Sequence, residues 1–359
     1  MKKILYSVAL AACVMGTMTS CSDFLDAENK SNVSDKQTFA TKDGFNTLVN
    51  DAYQRLQNIY AAPLFTSCFS AGTDMYADAR NKMNEALNTY ETLTPENGDI
   101  KNLYTYLYAG IRAANSVSYY AQSAKIDDAL KNKLVGEARV LAAYEYYLLV
   151  NNFGGVPIMK DFLTTADTGY PKSSAADVYA YIISELEDVI GKNVLEASTA
   201  TKGGGRISQE TAKAILAKTY LSAAWDLGKQ DYFAKAASLA DEVIAGRKLT
   251  TPFADLWKAD GSGDDNAEFL WDVEYDLATA NNTTSGGTEW SGYYCNYLGG
   301  AEDPIKAIWM ARIWIITTTS SWFTVQILAR SLTIARLLLT RRIPAIAISI
   351  SSHCQRCIS

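Results

Sequence analysis

The sequence predicts a mainly α-helical protein with a loop-rich, partly β region grafted onto the helices. Three observations carry that expectation. Apolar residues recur at helical spacing in six successive segments between Thr41 and Gly246. Ser, Thr or Asp stands where most of these segments begin, and Gly or Pro follows where several end. Beyond Gly246 the texture changes to short aromatic stretches separated by Gly, Asp, Asn and Thr.

The segments are justified in order. Thr41 is placed to cap the first, in which Phe45, Leu48, Val49, Ala52, Tyr53 and Leu56 lay one apolar stripe along a helix. Leu103, Tyr104, Leu107, Tyr108 and Ile111 repeat the pattern. A third segment runs through Leu134, Ala138, Leu141, Ala142, Leu148 and Leu149, capped near Asp127 and stopped by Gly154-Gly155-Val156-Pro157. Ser174 starts a fourth (Val178, Ile182, Leu186, Val189) and Ser208 a fifth (Ala212, Ile215, Leu216, Thr219, Tyr220, Ala223). Asp231 starts a sixth with Tyr232, Ala236, Leu239, Ala240 and Val243, ending at Gly246. A short polar turn, 226–230, joins the fifth and sixth, so they are expected to pack antiparallel. Small residues at Ala217, Ala223, Ala236 and Ala240 let the two backbones approach, as in a degenerate tetratricopeptide hairpin. Such hairpins stack into a scaffold that presents a face to partners.

After Gly246 come a Gly/Asp loop at 260–265, the strand-like Glu268-Phe269-Leu270-Trp271-Asp272-Val273-Glu274-Tyr275, and an Asn/Thr/Gly stretch at 281–288. The aromatic, polar run Trp290-Ser291-Gly292-Tyr293-Tyr294-Cys295-Asn296-Tyr297 follows.

The two ends of the chain read differently from the body. Lys2 and Lys3 precede an apolar stretch and then small residues before Cys21, the pattern of a secretory leader over 1–20. A cysteine at that point is expected to take a diacylglycerol and become the acylated first residue of a lipoprotein. Each buried methylene of an acyl chain contributes roughly 0.8 kcal/mol to membrane retention. At the other end, residues 304–359 contain no Asp, Glu, Gly, Asn or Tyr, and six Arg with Lys306 give them a charge of +7. Folded segments take most of their turns from Gly, Asn and Asp. Trp309-Met310-Ala311 is encoded by TGG ATG GCN, and reading from each third base gives GAT GGC, or Asp-Gly. Trp314-Ile315 likewise yields an Asp codon, and Ile316-Thr317-Thr318-Thr319 yields codons for Tyr, His, Asn or Asp. The expectation is a one-base slip near 306–308 and an out-of-frame tail from 304 to 359. Its Cys354-Gln355-Arg356-Cys357 is then accidental rather than a redox or zinc element, and its Ile/Arg-rich composition is an aggregation hazard.

Composition narrows the function of what lies between. Residues 21–303 carry 24 basic and 39 acidic side chains, a net −15 that argues against nucleic-acid binding. His353 is the chain's one histidine, so the body lacks the commonest metal ligand and general base. No metal or cofactor is expected. Lys202-Gly203-Gly204-Gly205-Arg206 lacks the closing Lys-Ser/Thr of a phosphate loop and reads as a lead-in to a helix. Cys68 and Cys295 are too few to make a disulfide framework, although they could pair. Paired carboxylates for glycoside hydrolysis could come from Asp264, Asp265, Glu268, Asp272 and Glu274, but spacing alone does not select two of them.

Five stretches carry a family resemblance. Cys21-Ser22-Asp23-Phe24-Leu25-Asp26 is similar to the mature start of the SusD/RagB family of nutrient-uptake outer-membrane lipoproteins. Gly136-Glu137-Ala138-Arg139-Val140-Leu141-Ala142-Ala143-Tyr144, followed by Asn152-Phe153-Gly154-Gly155-Val156-Pro157, resembles that family's signature, departing at Ala142 where Arg is usual. Ile111-Arg112-Ala113-Ala114-Asn115 and Gly205-Arg206-Ile207-Ser208 resemble flanking family helices, and Phe253-Ala254-Asp255-Leu256-Trp257 with Glu268-Phe269-Leu270-Trp271 resembles the next conserved stretch. The resemblance implies a SusD-like helical fold with tetratricopeptide-like hairpins. It divides the chain into a helical domain at 21–250 and the start of the loop-rich SusD/RagB region at 251–303, with the family's bulk continuing past it.

The resemblance also implies a binding protein and not an enzyme. Such a protein, lipid-anchored at the outer-membrane surface, captures an oligosaccharide and passes it to a SusC-like TonB-dependent transporter. Sugar faces stack on Trp and Tyr rings while hydroxyls bond to Asn, Asp and Arg. The candidates are Trp290, Tyr293, Tyr294 and Tyr297, with Asp74, Tyr76 and Arg80 after the first helix. A peptide-capturing RagB-like protein, a truncated non-functional member, a protein-binding scaffold and a glycoside hydrolase stand as alternatives.

Overall fold

The computed structural model describes residues 35–60, 62–73, 85–165, 167, 169–198, 205–245, 247, 249–257, 266 and 268–273. Among the described residues six long helices carry the fold. They are α1 (Lys42–Ile59), α2 (Gly98–Tyr120), α3 (Asp128–Phe153), α4 (Ala175–Lys192), α5 (Gln209–Leu227) and α6 (Gln230–Ile244). Short helical pieces at Asp35–Thr38, Ala62–Phe65, Glu85–Thr89 and Phe253–Trp257 sit between or beside them.

The helices begin where side chains can satisfy their first free amides. Thr41 accepts from Gly44 N, Asp127 from Ala129 N and Leu130 N, and Ser208 from Thr211 N. Ser174 closes a reciprocal capping box with Asp177. All four caps were legible in the sequence. α2 adds a fifth, Asn97, which accepts from Asp99 N and Ile100 N.

The start of α6 departs from expectation. The sequence places the turn at 226–230 with Asp231 as cap. Asp226 instead stays in the last turn of α5, where it accepts the Tyr179 hydroxyl at 2.5 Å. Gly228, at φ 67°, makes the reversal, and α6 starts at Gln230 with no side-chain cap. Positive φ costs glycine little, so one residue suffices.

Successive helices pack on one another from α1 to α6, and α3 also touches α1 and α5. That central place explains why α3 is apolar around most of its surface, with Leu134, Val140, Leu141, Tyr146 and Leu149 all buried. Ala217 and Ala240 are buried together at the α5–α6 contact with Val243 and Leu270, so small residues do set the approach of these helices. Most of the loop-rich region lies outside the described residues. The part seen at 268–273 forms no strand and docks by its side chains instead. Trp271 is buried edge-on against Tyr144 of α3, with centroids 5.3 Å apart, and Leu270 O accepts the Thr211 hydroxyl at 2.8 Å.

One buried group works against the fold. Glu145 of α3 is 1% exposed, and among the described residues neither carboxyl oxygen has a hydrogen-bond partner. It lies across Gly110 of α2, where a Cβ would stand 1.6 Å from its Oε1. Burial pushes its pKa well up, and Arg55, which bonds Asp51, opposes the shift only in part. A raised carboxyl pKa favours the native state most below the unfolded value, about 4.3. That contribution is lost as pH rises through the folded value. Glu145→Met is therefore expected to raise stability at pH 7 by about 1–3 kcal/mol, the cost of a buried unpaired polar group. Urea denaturation should show the gain shrinking towards pH 4. A Met variant less stable than the parent at pH 7 would show that Glu145 holds a compensating partner.

Candidate functional site

The most specific motif in the chain turns out to hold the helices together. Glu137 is 0% exposed and its Oε2 accepts the Tyr53 hydroxyl at 2.8 Å, with Arg206 Nε 3.3 Å away. This joins α3, α1 and the lead-in to α5. Arg139 donates from Nε to Glu185 at 2.7 Å and from Nη1 to Asp188 at 2.5 Å, clamping α3 to α4. Ala142 is buried in the core. Gly154 ends α3 at φ 69° and ψ −128°, a region open in practice to glycine alone. A Cβ on Gly155 would stand 2.2 Å from the Ser173 carbonyl oxygen, so the second glycine allows the chain to pass α4's lead-in at close range.

The two glycines turn the chain from the end of α3 back across α2. Tyr108 donates its hydroxyl to Pro157 O at 2.7 Å, and Asn115 Nδ2 donates to Met159 O at 2.9 Å. Met159 N donates to the Tyr146 hydroxyl at 2.7 Å. Further along, Phe162 inserts beside Tyr119 and Tyr120, with centroids at 5.4 and 5.9 Å, and under the Arg112 guanidinium at 5.0 Å. Burial first, then Tyr104, holds the Tyr108 hydroxyl far above its ordinary pKa, so it stays a donor.

Between α2 and this pinned loop lies a groove of about 430 Å³. Tyr104, Tyr108, Arg112 and Asn115 line it from the helix, and Pro157, Met159, Asp161, Leu163, Asp167 and Tyr170 from the loop. The Tyr104 and Tyr108 rings are 4.8 Å apart, and Tyr104 is steadied edge-on by Phe153 at 5.2 Å. Sequence reasoning took Tyr104 and Tyr108 for core. The available signal was the run Tyr104, Tyr108, Arg112, Asn115 at i, i+4, i+8, i+11, an aromatic and polar stripe beside the apolar one.

The site residues anticipated from the sequence are not among those the structure describes. Cys21, Asp74, Tyr76, Arg80, Trp290, Tyr293, Tyr294 and Tyr297 all lie outside the described residues, as do Cys295, Asp264, Asp265, Glu274 and the 304–359 tail. Cys68 is a half-buried thiol whose pKa burial, aided by Asp99, pushes up to about 12, so it is an inert thiol rather than a nucleophile. Among the described residues no group of His, Cys, Asp and Glu is arranged to hold a metal ion, and no helix is long and apolar enough to cross a membrane.

Comparison with known proteins agrees with the helical fold. Residues 23–221 match the SusD-like family described as starch-binding and associating with the outer membrane. This chain belongs to the SusD-like family. A SusD-like protein of Bacteroides ovatus is 25% identical over 318 residues, covering 82% of this chain and 56% of that relative. The starch-binding protein SusD of Bacteroides thetaiotaomicron is 27% identical over 182 residues, covering 50% of this chain and 32% of that protein. Among solved structures, a laminarin-binding SusD-like protein superposes with a TM-score of 0.54 at 20% identity, over 66% of this chain and 52% of that one. The chain thus spans about half the length of the SusD-like relatives it matches first. The helices α1 to α5 and the signature at 136–157 fall almost wholly within the family match.

Proposed function

We propose that this SusD-like protein is an outer-membrane surface lipoprotein, anchored through Cys21, that captures oligosaccharide and passes it to a SusC-like TonB-dependent transporter. The observation that carries the reading is the family match over 23–221, with signature residues Glu137, Arg139, Gly154 and Gly155 in defined structural roles. Residues 21–250 form the helical domain, 251–303 begin the loop-rich region, and 304–359 are read out of frame. Capture draws on Asp74, Tyr76 and Arg80 together with Trp290, Tyr293, Tyr294 and Tyr297. Stacking of sugar rings on these aromatics and hydrogen bonding at their edges require no cofactor and no catalytic group.

The test is binding of malto- and laminari-oligosaccharides to the purified protein by calorimetry, with a parallel assay for released reducing ends. Glycan binding without release of reducing ends is expected, and Trp290→Ala should weaken it by about tenfold, which is roughly 1.4 kcal/mol. Release of reducing ends would replace the reading with a hydrolase. Capture of peptides in place of glycans would make the protein RagB-like.

A further inference from the structure

The geometry points to a sugar subsite in the groove between α2 and the 157–170 loop, shaped for one or two neutral sugar units. This rests on the glycan-capture reading above and adds a place and a ligand class to it.

The size is right, because small-molecule sites run from about 300 to 1,000 Å³ and this groove holds about 430 Å³. Its walls divide by chemistry in the way a sugar ring does. Tyr104 and Tyr108 offer ring surface one helical turn apart, and Ile111, Pro157 and Met159 extend the apolar side. A pyranose presents C–H bonds on its faces and hydroxyls around its edge. The edge would meet Thr105, Arg112, Asn115, Asp161 and Asp167, a set that both donates and accepts.

Much of that polar capacity is uncommitted, although the Thr105 hydroxyl donates to Lys101 O at 2.8 Å and can only accept from a ligand. Arg112, Asp161 and Asp167 line one groove, yet none of them forms an ion pair among the described residues. The Arg112 guanidinium rests over the Phe162 ring, which leaves its N–H donors for a ligand. Asp167 Oδ1 accepts from Gly169 N at 2.8 Å, and its second oxygen has no bonded partner among the described residues. Asn115 spends its amide N–H on Met159 O and keeps its carbonyl oxygen.

Charge sets the ligand class. Two carboxylates against one guanidinium make the lining net negative, which repels uronic or sulfated sugars and admits neutral ones. One stretch of wall is also held before a ligand arrives. The bonds from Tyr108 to Pro157 and from Asn115 to Met159, and the insertion of Phe162, fix residues 157–162 against α2 in advance, so binding does not have to order them.

The test uses the full chain and malto- and laminari-oligosaccharides of defined length, followed by calorimetry. Thr105→Trp fills the groove from an exposed position on α2, and Arg112→Ala removes its donor without touching the core. The expected result is at least about tenfold weaker binding in Thr105→Trp, and a smaller loss of roughly threefold in Arg112→Ala. Both variants should keep the parent's thermal unfolding. Oligogalacturonate of matched length should bind more weakly than the neutral sugars. Unchanged affinity in both groove variants, with the parent binding glycan, overturns the subsite and leaves the glycan-capture reading standing. Tighter binding of oligogalacturonate overturns the charge argument and with it the ligand class. A folded parent that binds no glycan removes the glycan-capture reading, and the subsite falls with it.

Discussion

Trp271→Ala is expected to destabilise the protein by about 3–5 kcal/mol, the range for deleting a large aromatic side chain from a core. Trp271 is 1% exposed and heads the largest fully buried side chains among the described residues. It meets Tyr144 of α3 edge-on at 5.3 Å, an arrangement worth about 0.5–1.5 kcal/mol beyond area alone. Around it the segment is held at two further points. Thr211 Oγ1 donates to Leu270 O at 2.8 Å, and Phe269 packs with Leu256 in a small separate cluster. The segment is therefore part of the helical unit, although it follows α6 in the chain and forms no ladder. Trp271→Phe keeps most of the ring and should cost less than the Ala change. Thr211→Val should cost about 1–3 kcal/mol, because the hydroxyl also bonds the Ser208 hydroxyl at 3.0 Å and its loss takes partners from buried groups. Chemical denaturation of the three variants checks all of this. A loss below about 1 kcal/mol in Trp271→Ala would mean that the cavity collapses freely, or that the segment is not docked.

The helical half of the molecule was legible because its determinants are local. Thr41, Asp127, Ser174 and Ser208 cap through amides two or three residues away, so the signal and its consequence share one stretch of chain. The α5–α6 turn was misplaced by a tertiary contact. Asp226 looked like a turn residue, but the Tyr179 hydroxyl on α4 holds it in the helix. The groove was hidden for a related reason. Its helix side reads as a continuation of the core periodicity, and among the described residues its loop side is tied to it through Tyr108, Asn115 and Phe162. Glu145 was invisible as a liability, since its environment depends on Gly110 of another helix. The aromatic candidates at 290–297 carry chemistry that composition can suggest, and they lie outside the described residues.

Arg206→Ala is expected to cost about 3 kcal/mol at neutral pH, the low end of the 3–5 kcal/mol for stripping one partner from a buried pair. The low end applies because the Arg206 side chain is 37% exposed, whereas Glu137 is 0% exposed. Without Arg206 the Glu137 carboxylate keeps the Tyr53 hydroxyl at 2.8 Å, while its Oε1 already has no partner among the described residues. Tyr53 cannot compensate further, since its one hydroxyl proton is already donated to Glu137 Oε2. The sign of the pH dependence follows. Burial raises the Glu137 pKa, and Arg206 is the largest opposing influence. Removing Arg206 raises that pKa further above the unfolded value of about 4.3. A raised carboxyl pKa gives stability that is complete below the unfolded value and lost as pH rises through the folded one. The deficit of Arg206→Ala should therefore be small near pH 4 and reach its full size only above the new folded pKa. Adding Glu137→Gln should remove most of that pH dependence, because a neutral amide has no charge to strand. Urea denaturation at pH 4.5 and pH 8 separates this from simple packing. Equal deficits at both would assign the loss to the Arg206 guanidinium stacked 5.0 Å over the Tyr53 ring, a contact that does not depend on whether Glu137 is charged.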